Sequence, residues 1–310
     1  MLGSKLTAIV SLTALASIAL GETALGQPRA SVALPPGEPA RFLQRYIGLT
    51  SAEVEQVGAG TVVTKVLPTK DNDEVALFGI VTLDASRDDV VRRVRDLPSF
   101  LRAPERTAFG LFGTPAAGND LKDFVVDPSD LDAIKSCRIG DCDVKLPAGN
   151  IDQFRGGIEG LSPAAARAVI DSLVRERVAV YVNRYRAGGT AAMVEYGDQK
   201  TPGRASDVFT SLLAESPYVF DYLPTFHQYL EAYPAASLPG VTDAIYWAYD
   251  KMPSLRPILS VNHVSVYSPS TRLTLVSTKQ LYASHYFLGA FTLTTVIDRP
   301  DAPSGHGVYY

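Results

Sequence analysis

KQLYASHYF, at residues 279–287, alternates its side chains with a period of two and predicts a long β-strand. That period separates two sets of side chains onto opposite faces: Lys279, Leu281, Ala283, His285 and Phe287 against Gln280, Tyr282, Ser284 and Tyr286. Each face therefore combines large side chains with side chains that form hydrogen bonds. Such a surface is typical of the wall of an apolar pocket that carries a few polar groups, which makes Tyr282, His285 and Tyr286 candidate ligand contacts.

Further strands are predicted on both sides of this stretch. The strands expected in the sheet are residues 74–83, 190–196, 258–267, 272–287 and 291–297. Residues 61–67 are expected to form a hairpin with 74–83, and a turn at 268–271 closes a second hairpin. We therefore expect an α+β fold in which a curved antiparallel sheet is covered by helices on one face.

Helix starts are indicated by side chains that accept hydrogen bonds from the first free amides of a helix. These residues are Thr50, which forms a capping box with Glu53, and Ser86, Asp127 and Ser162. The helix that begins at Ser162 is the longest and is expected to extend to about Arg186.

A later helix, predicted over residues 217–233, carries an aromatic stripe. Its members recur three or four residues apart: Tyr218, Tyr222, Phe226, Tyr229 and Tyr233. Pro224 is expected to bend this helix. A stripe of this kind fits a helix packed into the core, and it also fits the wall of a ligand pocket. Tyr222 and Phe226 are therefore further candidate ligand contacts.

Composition and charge limit the function classes. The chain has 310 residues, of which 46% are hydrophobic, so it can bury a sizeable core. Its formal net charge is −4 and its basic residues are scattered. Nucleic-acid binding requires a concentrated basic face, and no such face is evident.

The N-terminal part predicts export. Residues 1–26 have the order of a secretory signal peptide, with a basic residue, an apolar run and small residues before the cleavage point. Residues 27–40 are rich in Pro, Gly and Ala and predict a flexible leader. Residues 41–310 are expected to form a single domain with a helical insertion at about 127–250. The mature chain is expected to be periplasmic or secreted, without a stable membrane span.

Export favours a disulfide between Cys137 and Cys142, since exported proteins fold in an oxidising compartment. The residues that separate them include Gly140 and Asp141, which favour a turn. A bridge over so short a loop is worth about 2 kcal/mol, which stiffens a local turn. A redox-active pair and a metal site are the alternatives.

No catalytic motif accounts for the polar residues. The chain lacks His-Glu-x-x-His and Gly-x-Ser-x-Gly, which mark zinc proteases and serine hydrolases, and we expect no metal and no cofactor. Ser284 and His285 would point to opposite faces of a strand. His263 and His285 are not expected to be cross-strand neighbours, because the predicted turn places His263 opposite Val276. Each histidine is interpreted either as a hydrogen-bonded structural residue or as an acid or base catalyst.

Two motifs resemble those of an uncharacterised family of exported bacterial proteins: Cys-x-x-Gly-Asp-Cys-x-Val-Lys-Leu-Pro at residues 137–147 and Lys-Gln-x-Tyr-Ala-Ser-His-Tyr-Phe at residues 279–287. These motifs carry no assigned chemistry. More distantly, the order of strands and helices resembles the START-like helix-grip superfamily, whose curved sheet encloses a cavity for lipids or other apolar ligands. Its members end in a long helix over the sheet, and the resemblance implies that this chain, which stops at residues 307–310, lacks that helix.

The expected function is binding or carriage of an apolar, lipid-like small molecule, without catalysis. The expected ligand contacts are Tyr282, His285, Tyr286, Tyr222, Phe226 and His263. A competing hypothesis is an enzyme that uses the same cavity, with His285 or His263 as acid or base. A third hypothesis is a structural protein whose aromatic residues form the core.

Overall fold

A seven-stranded antiparallel sheet lies at the centre of the fold. The computed structural model describes residues 7–8, 41–299, 302 and 306–310, so the predicted signal peptide at 1–26, apart from residues 7–8, and the predicted leader at 27–40 lie outside the described residues. The strands, in chain order, are β1 (Thr7–Ala8), β2 (Val63–Leu67), β3 (Glu74–Ile80), β4 (Thr82–Leu83), β5 (Arg106–Leu111), β6 (Glu195–Tyr196), β7 (Gly203–Arg204), β8 (Thr242–Asp250), β9 (Ile258–Ser270), β10 (Leu273–Ala283), β11 (Phe291–Asp298) and β12 (Val308–Tyr309). The large sheet has the order β4-β12-β11-β10-β9-β8-β5, and it does not close into a barrel. The predicted α+β fold with a large antiparallel sheet is confirmed.

Helices occupy most of the chain between β5 and β8 and also precede the sheet. The α-helices are α1 (Ser51–Gly58), α2 (Arg87–Arg95), α3 (Leu97–Phe100), α4 (Pro128–Ser136), α5 (Ala148–Gly157), α6 (Pro163–Gly188), α7 (Ala205–Ala214), α8 (Pro217–Tyr222) and α9 (Pro224–Ala232). A π-helical turn lies at Leu43–Ile47, and 3₁₀ turns lie at Gly118–Leu121 and Gly189–Ala192. The predicted helix at 217–233 is thus two helices, because Pro224 begins a new one.

The predicted helix caps are confirmed, because each depends on a hydrogen bond between residues two or three apart. Thr50 and Glu53 form both bonds of a capping box at α1. Ser86 accepts from the third amide of α2, and Ser162 does the same at α6. Asp127 accepts from the amide of Ser129 at α4. Short-range signals of this kind are independent of the tertiary fold.

Two strands expected in the large sheet lie elsewhere. The prediction of a strand at 190–196 is wrong for most of its length, because Gly189–Ala192 is a 3₁₀ turn and β6 pairs with β7 in a separate ribbon. The predicted hairpin of β2 and β3 forms, but it belongs to a small sheet with β1, which pairs in parallel with β3. From the 74–83 stretch, β4 alone joins the large sheet, through β12.

Strands β5 and β8 were not predicted from the sequence, and together they form one side of the large sheet. Within β8 the residues from Ile245 to Tyr249 are all buried, so the strand lacks the alternation expected of a half-buried strand. Its position also shortens the proposed helical insertion at 127–250. Helices α4 to α9 end at Ala232, and the chain is back in the sheet by Thr242.

The β9–β10 hairpin differs from the predicted register by three residues. His263 pairs with Lys279 and not with Val276, which pairs with Val266. The turn lies later in the sequence than expected, and bulges interrupt the register near Leu275 and Tyr282. The expected absence of a cross-strand pair between His263 and His285 holds, since β10 ends at Ala283. The prediction of a strand as far as Phe287 is therefore wrong.

Side chains pack on both faces of the sheet, which corrects the expectation of helices on one face. The main core lies between one face and helices α4 to α9, and it includes Tyr185, Phe226, Trp247, Val261 and Leu281. On the other face, helices α2 and α3 pack with Val94 and Leu97 against sheet residues such as Val264 and Val276. Burial of these apolar side chains stabilises the fold at roughly 25 cal/mol for each Å² removed from water.

Candidate functional site

Polar side chains interrupt the main core where β8, β9 and β10 face the helices. Register places Asp243 of β8 beside Ser265 of β9, and His263 of β9 beside Lys279 of β10. His263 is 3% exposed and Lys279 is 2% exposed, so both lie within the core. Polar groups at such depth need partners, because an unpaired buried donor or acceptor costs about 1–3 kcal/mol.

The first part of this cluster is a chain of hydrogen bonds through His263. Its Nε2 lies 2.9 Å from Asp243 Oδ1, and its Nδ1 lies 2.9 Å from Tyr185 Oη on α6. An ionised carboxylate can accept but not donate, so Nε2 carries the hydrogen and Nδ1 accepts from the Tyr185 hydroxyl. The arrangement Tyr185–His263–Asp243 orients the imidazole and links a phenol to a carboxylate.

Asp243 is the acceptor for three donors. Besides His263, Ser265 donates at 2.6 Å and Tyr229 of α9 donates at 2.6 Å. Burial by itself would raise the pKa of Asp243, but the hydrogen bonds from His263, Ser265 and Tyr229 outweigh it and hold this pKa below its usual range. Asp243 is therefore ionised at neutral pH.

His263 is uncharged at neutral pH. Burial lowers the pKa of His263, although its hydrogen bond to Asp243 acts in the opposite direction, and the charges of Lys279 and Arg186 add to the lowering. Burial also raises the pKa of Tyr185, so the phenol keeps its hydrogen. The cluster thus contains one carboxylate, one neutral imidazole and one neutral phenol.

Lys279 is the second part of the cluster. Its Nζ donates to Thr190 Oγ1 at 3.2 Å and to the backbone oxygen of Leu230 at 3.3 Å. The ring centres of Phe209 and Tyr185 lie 3.8 Å and 5.6 Å from this nitrogen. Among the described residues no carboxylate lies at ion-pair distance from it, and burial lowers the pKa of Lys279 to about 7. A pKa in this range leaves part of the Lys279 amine neutral at pH 7.

A pocket opens directly beside the cluster. It has a volume of about 380 Å³ and is formed by the end of α6 with the turn that follows, and by the end of α9. The residues that line it are Ala187, Gly188, Thr190, Ala191, Glu231, Ala232, Tyr233, Pro234 and Ala235. Thr190 also accepts from Lys279, and the ring of Tyr233 lies 4.5 Å from that of His263. These two residues connect the pocket with the buried polar groups.

Gly189 fixes the close approach of the two segments that form the pocket. Its φ is +58°, and a Cβ at this position would lie 1.7 Å from the backbone oxygen of Tyr233. No other residue type fits there without moving the chain. The Gly188-Gly189 pair, visible in the sequence as a helix end, therefore also positions Thr190 over Lys279.

Three of the predicted ligand contacts lie near the end of β10. Tyr282 stacks on Tyr196 and donates to the backbone oxygen of Lys145 at 2.8 Å. His285 is buried with its Nε2 3.0 Å from Asp130 Oδ1. Tyr286, with a φ of 61°, is partly exposed and accepts from the amide of Arg256. These residues are held by local partners, and none of them lines the 380 Å³ pocket.

The other three predicted contacts are divided between the main core and the surface. Phe226 is fully buried and stacks on Tyr229, so it supports the cluster that contains His263. Tyr222 is exposed and packs edge-on against Phe42 and Tyr46. The structure therefore brings Phe226 and His263 into one neighbourhood and leaves Tyr222 outside it.

Lys279, Asp243 and Tyr185 were missed as site residues. A signal for Lys279 was present in the sequence, because a lysine on the same strand face as Leu281 and Ala283 is a charged residue on an apolar surface. Asp243 and Tyr185 gave no such signal, since each approaches His263 from a different element of the fold.

The predicted disulfide is confirmed, since Cys137 and Cys142 are bonded across a turn that contains Gly140 at a φ of +83°. Within the described part of the chain, no group of three or more His, Cys, Asp or Glu residues is arranged to hold a metal ion. None of the described helices combines the length and apolar character that a bilayer crossing requires.

Comparisons with protein-family models, with curated proteins and with solved structures found no match to this chain. The resemblances drawn from the two motifs and from the order of elements therefore stay predictions. Any functional conclusion rests on the site itself.

Proposed function

We propose that this protein binds a small organic molecule in the 380 Å³ pocket beside Thr190 and Tyr233. The observation that carries the proposal is that these two residues line the pocket and also contact the buried Lys279 and His263. A concave site that combines apolar side chains with a few polar groups is the usual form of a ligand site. Its volume lies at the lower end of the usual range for such pockets.

The wall supports a ligand with an apolar body. Alanine and proline side chains form much of the lining, at Ala187, Ala191, Ala232, Pro234 and Ala235. Thr190 offers a hydroxyl, Tyr233 an aromatic ring and Glu231 a carboxylate, so the wall is apolar only in part. This chemistry is compatible with the apolar molecule that the sequence analysis expected, bound in a surface pocket and not inside the sheet. Export of such a binder to the periplasm or the medium is part of the proposal, and the disulfide supports it.

A second candidate function is catalysis at the same pocket. The observation that favours it is the hydrogen-bonded series Tyr185–His263–Asp243, in which a neutral imidazole lies between a phenol and a carboxylate. Such a series can hold an imidazole in one orientation for proton transfer. The enzyme hypothesis expects turnover of a bound molecule that is lost in His263→Asn while binding is kept.

Two substitutions on α6 test the binding proposal. Ala187 and Ala164 are both exposed on this helix, but Ala187 lines the pocket and Ala164 lies near the other end. Their separation is about 34 Å at 1.5 Å per residue. We expect Ala187→Trp to weaken binding of the uncharged fluorescent probe N-phenyl-1-naphthylamine at least tenfold, and Ala164→Trp to leave it unchanged. Equal binding by both variants, or no saturable binding by the parent chain, would contradict the proposal.

A further inference from the structure

The amine of Lys279 lacks the partners that usually hold a buried lysine. Its two acceptors, Thr190 Oγ1 and the backbone oxygen of Leu230, are neutral. A lysine placed among apolar side chains for packing alone would extend its amine to water or pair it with a carboxylate. Lys279 does neither. It does not line the pocket itself, but its acceptor Thr190 does, so a ligand in the pocket reaches the amine when the Thr190 side chain turns away from it.

Its surroundings favour a reactive amine. Apolar and aromatic side chains enclose the nitrogen, among them Phe209 and Tyr185, and burial lowers the pKa of Lys279 to about 7. A desolvated lysine is a nucleophile at neutral pH, because a large fraction of it carries a free electron pair. For a lysine in water, fewer than about one amine in a thousand is neutral at pH 7.

The charges around the site favour a neutral ligand group over an acidic one. Asp243 is ionised within the cluster, and Glu231 lines the pocket. A ligand carboxylate would be repelled by both. Arg186 is the other cation near His263, but its guanidinium is held by the backbone oxygens of Phe112 and Gly113. A carbonyl group carries no net charge and presents an electrophilic carbon.

We propose that Lys279 captures an aldehyde ligand of this pocket as an imine, an inference that rests on the proposed binding function. The neutral Nζ attacks the carbonyl carbon, and a bond forms between carbon and nitrogen. The nitrogen loses its two hydrogens, and the carbonyl oxygen leaves with them as water. No oxidant or reductant is consumed. His263, across the strand pair, and the Tyr185 hydroxyl are the nearby groups that can relay these protons.

The test is reductive trapping on the intact parent chain. The protein is incubated with butanal and sodium cyanoborohydride at pH 7, and each lysine is then mapped by mass spectrometry after digestion. Cyanoborohydride supplies the hydride that reduces the imine, which leaves a stable butyl group. We expect the butylated fraction of Lys279 to be at least about tenfold higher than that of Lys70 or Lys135, whose amines extend to the surface and lie 4.0 Å and 2.7 Å from a carboxylate oxygen.

The same chain supplies the controls. In 8 M urea the preference for Lys279 should disappear, since it depends on the folded environment. Ala187→Trp should reduce trapping at Lys279 to the level of Lys70, whereas Ala164→Trp should leave it at the parent level. Trapping at Lys279 that is equal to or below that of Lys70 in the folded parent overturns the inference.

The two proposals fail in different ways. If the fluorescent probe binds and Ala187→Trp abolishes its binding, but Lys279 is not trapped, the imine inference is wrong and the binding proposal stands. If neither probe binding nor trapping occurs, both are wrong. Trapping at Lys279 that persists unchanged in Ala187→Trp contradicts the assigned route through the pocket.

Discussion

Two inward-facing lysines in this protein have opposite surroundings. Lys145 has its Nζ 3.2 Å from Asp198 Oδ2, and the side chains of both residues are largely buried. Lys279 is buried more completely and has no carboxylate partner among the described residues. Each amine also lies near a tyrosine ring, Tyr196 for Lys145 and Tyr185 for Lys279. The difference between the two sites is therefore the compensating charge.

The backbone around the two lysines differs as well. Lys145 follows the disulfide, and its own amide donates to Ser284 at 2.8 Å while Cys142 donates to Asp198 at 3.0 Å. A second pocket, of about 280 Å³, opens beside this region and is lined by Tyr196 and Gln199 among others. The amine there is neutralised by an adjacent carboxylate, which fits a structural role. Both lysines lie near a pocket, so the pocket does not distinguish a structural lysine from a reactive one. The presence or absence of a carboxylate that pairs with the buried amine does.

The largest expected effect is loss of the Lys145 partner. Lys145→Met leaves the Asp198 carboxylate buried without its cation, so we expect the free energy of unfolding to fall by about 3 kcal/mol. Urea denaturation at pH 7 followed by circular dichroism measures this change. A variant as stable as the parent would mean that the pair contributes nothing and that the two lysines do not differ in the way described.

At Lys279 the same substitution should act in the opposite direction. Lys279→Met replaces an uncompensated amine with an apolar side chain of similar length, and we expect a gain of about 2 kcal/mol at pH 7. The folded-state pKa of about 7 lies below the unfolded value of 10.5. Between these values the unfolded chain holds a proton that the folded chain lacks, so the parent becomes relatively more stable as the pH rises.

The gain from Lys279→Met should therefore shrink to near zero by about pH 9, since the stability of the parent rises by up to about 1.4 kcal/mol for each pH unit in this range. Urea midpoints of parent and variant, measured side by side from pH 7 to pH 10, provide the check. A gain that stays constant over this range would show that the amine is charged in the folded protein throughout, which would also contradict its role as a nucleophile.

Removal of the disulfide tests the structural assignment of the Lys145 region. Cys137 and Cys142 are five residues apart, and the double Cys→Ser variant is expected to lose about 2 kcal/mol, because the unfolded chain gains entropy. Trapping of butanal at Lys279 should be unaffected in this variant. Loss of trapping would mean that the two regions are coupled.

The smallest expected effect concerns the Tyr185 hydroxyl. Tyr185→Phe keeps the ring beside Lys279 but leaves Nδ1 of His263 without its donor, and we expect a loss of about 1 kcal/mol in the free energy of unfolding. The matched control is Tyr286→Phe, at a partly exposed hydroxyl, which should change stability by less. Equal effects would indicate that water replaces the Tyr185 hydroxyl.

The features that could be predicted from the sequence are those that depend on residues close together in the chain, and prediction failed for features set by distant residues. Thr50, Ser86, Asp127 and Ser162 cap helices as expected, because each side chain bonds an amide two or three residues away. Prediction failed at β8, whose run of buried residues has no alternation. It also failed at the β9–β10 register, because the turn lies later than the predicted 268–271 and a bulge near Leu275 has no signature in composition or periodicity.

The sequence by itself determined the α+β class, the helix caps and the disulfide. The tertiary structure alone decided that Lys279 lies opposite His263, that helices α6, α7 and α9 enclose it, and that Thr190 connects it with a pocket. The physical reason is the separation along the chain of the residues that interact. Capping and turn formation are local hydrogen-bonding preferences, whereas the desolvation of Lys279 depends on side chains from distant segments that meet once the helices pack on the sheet.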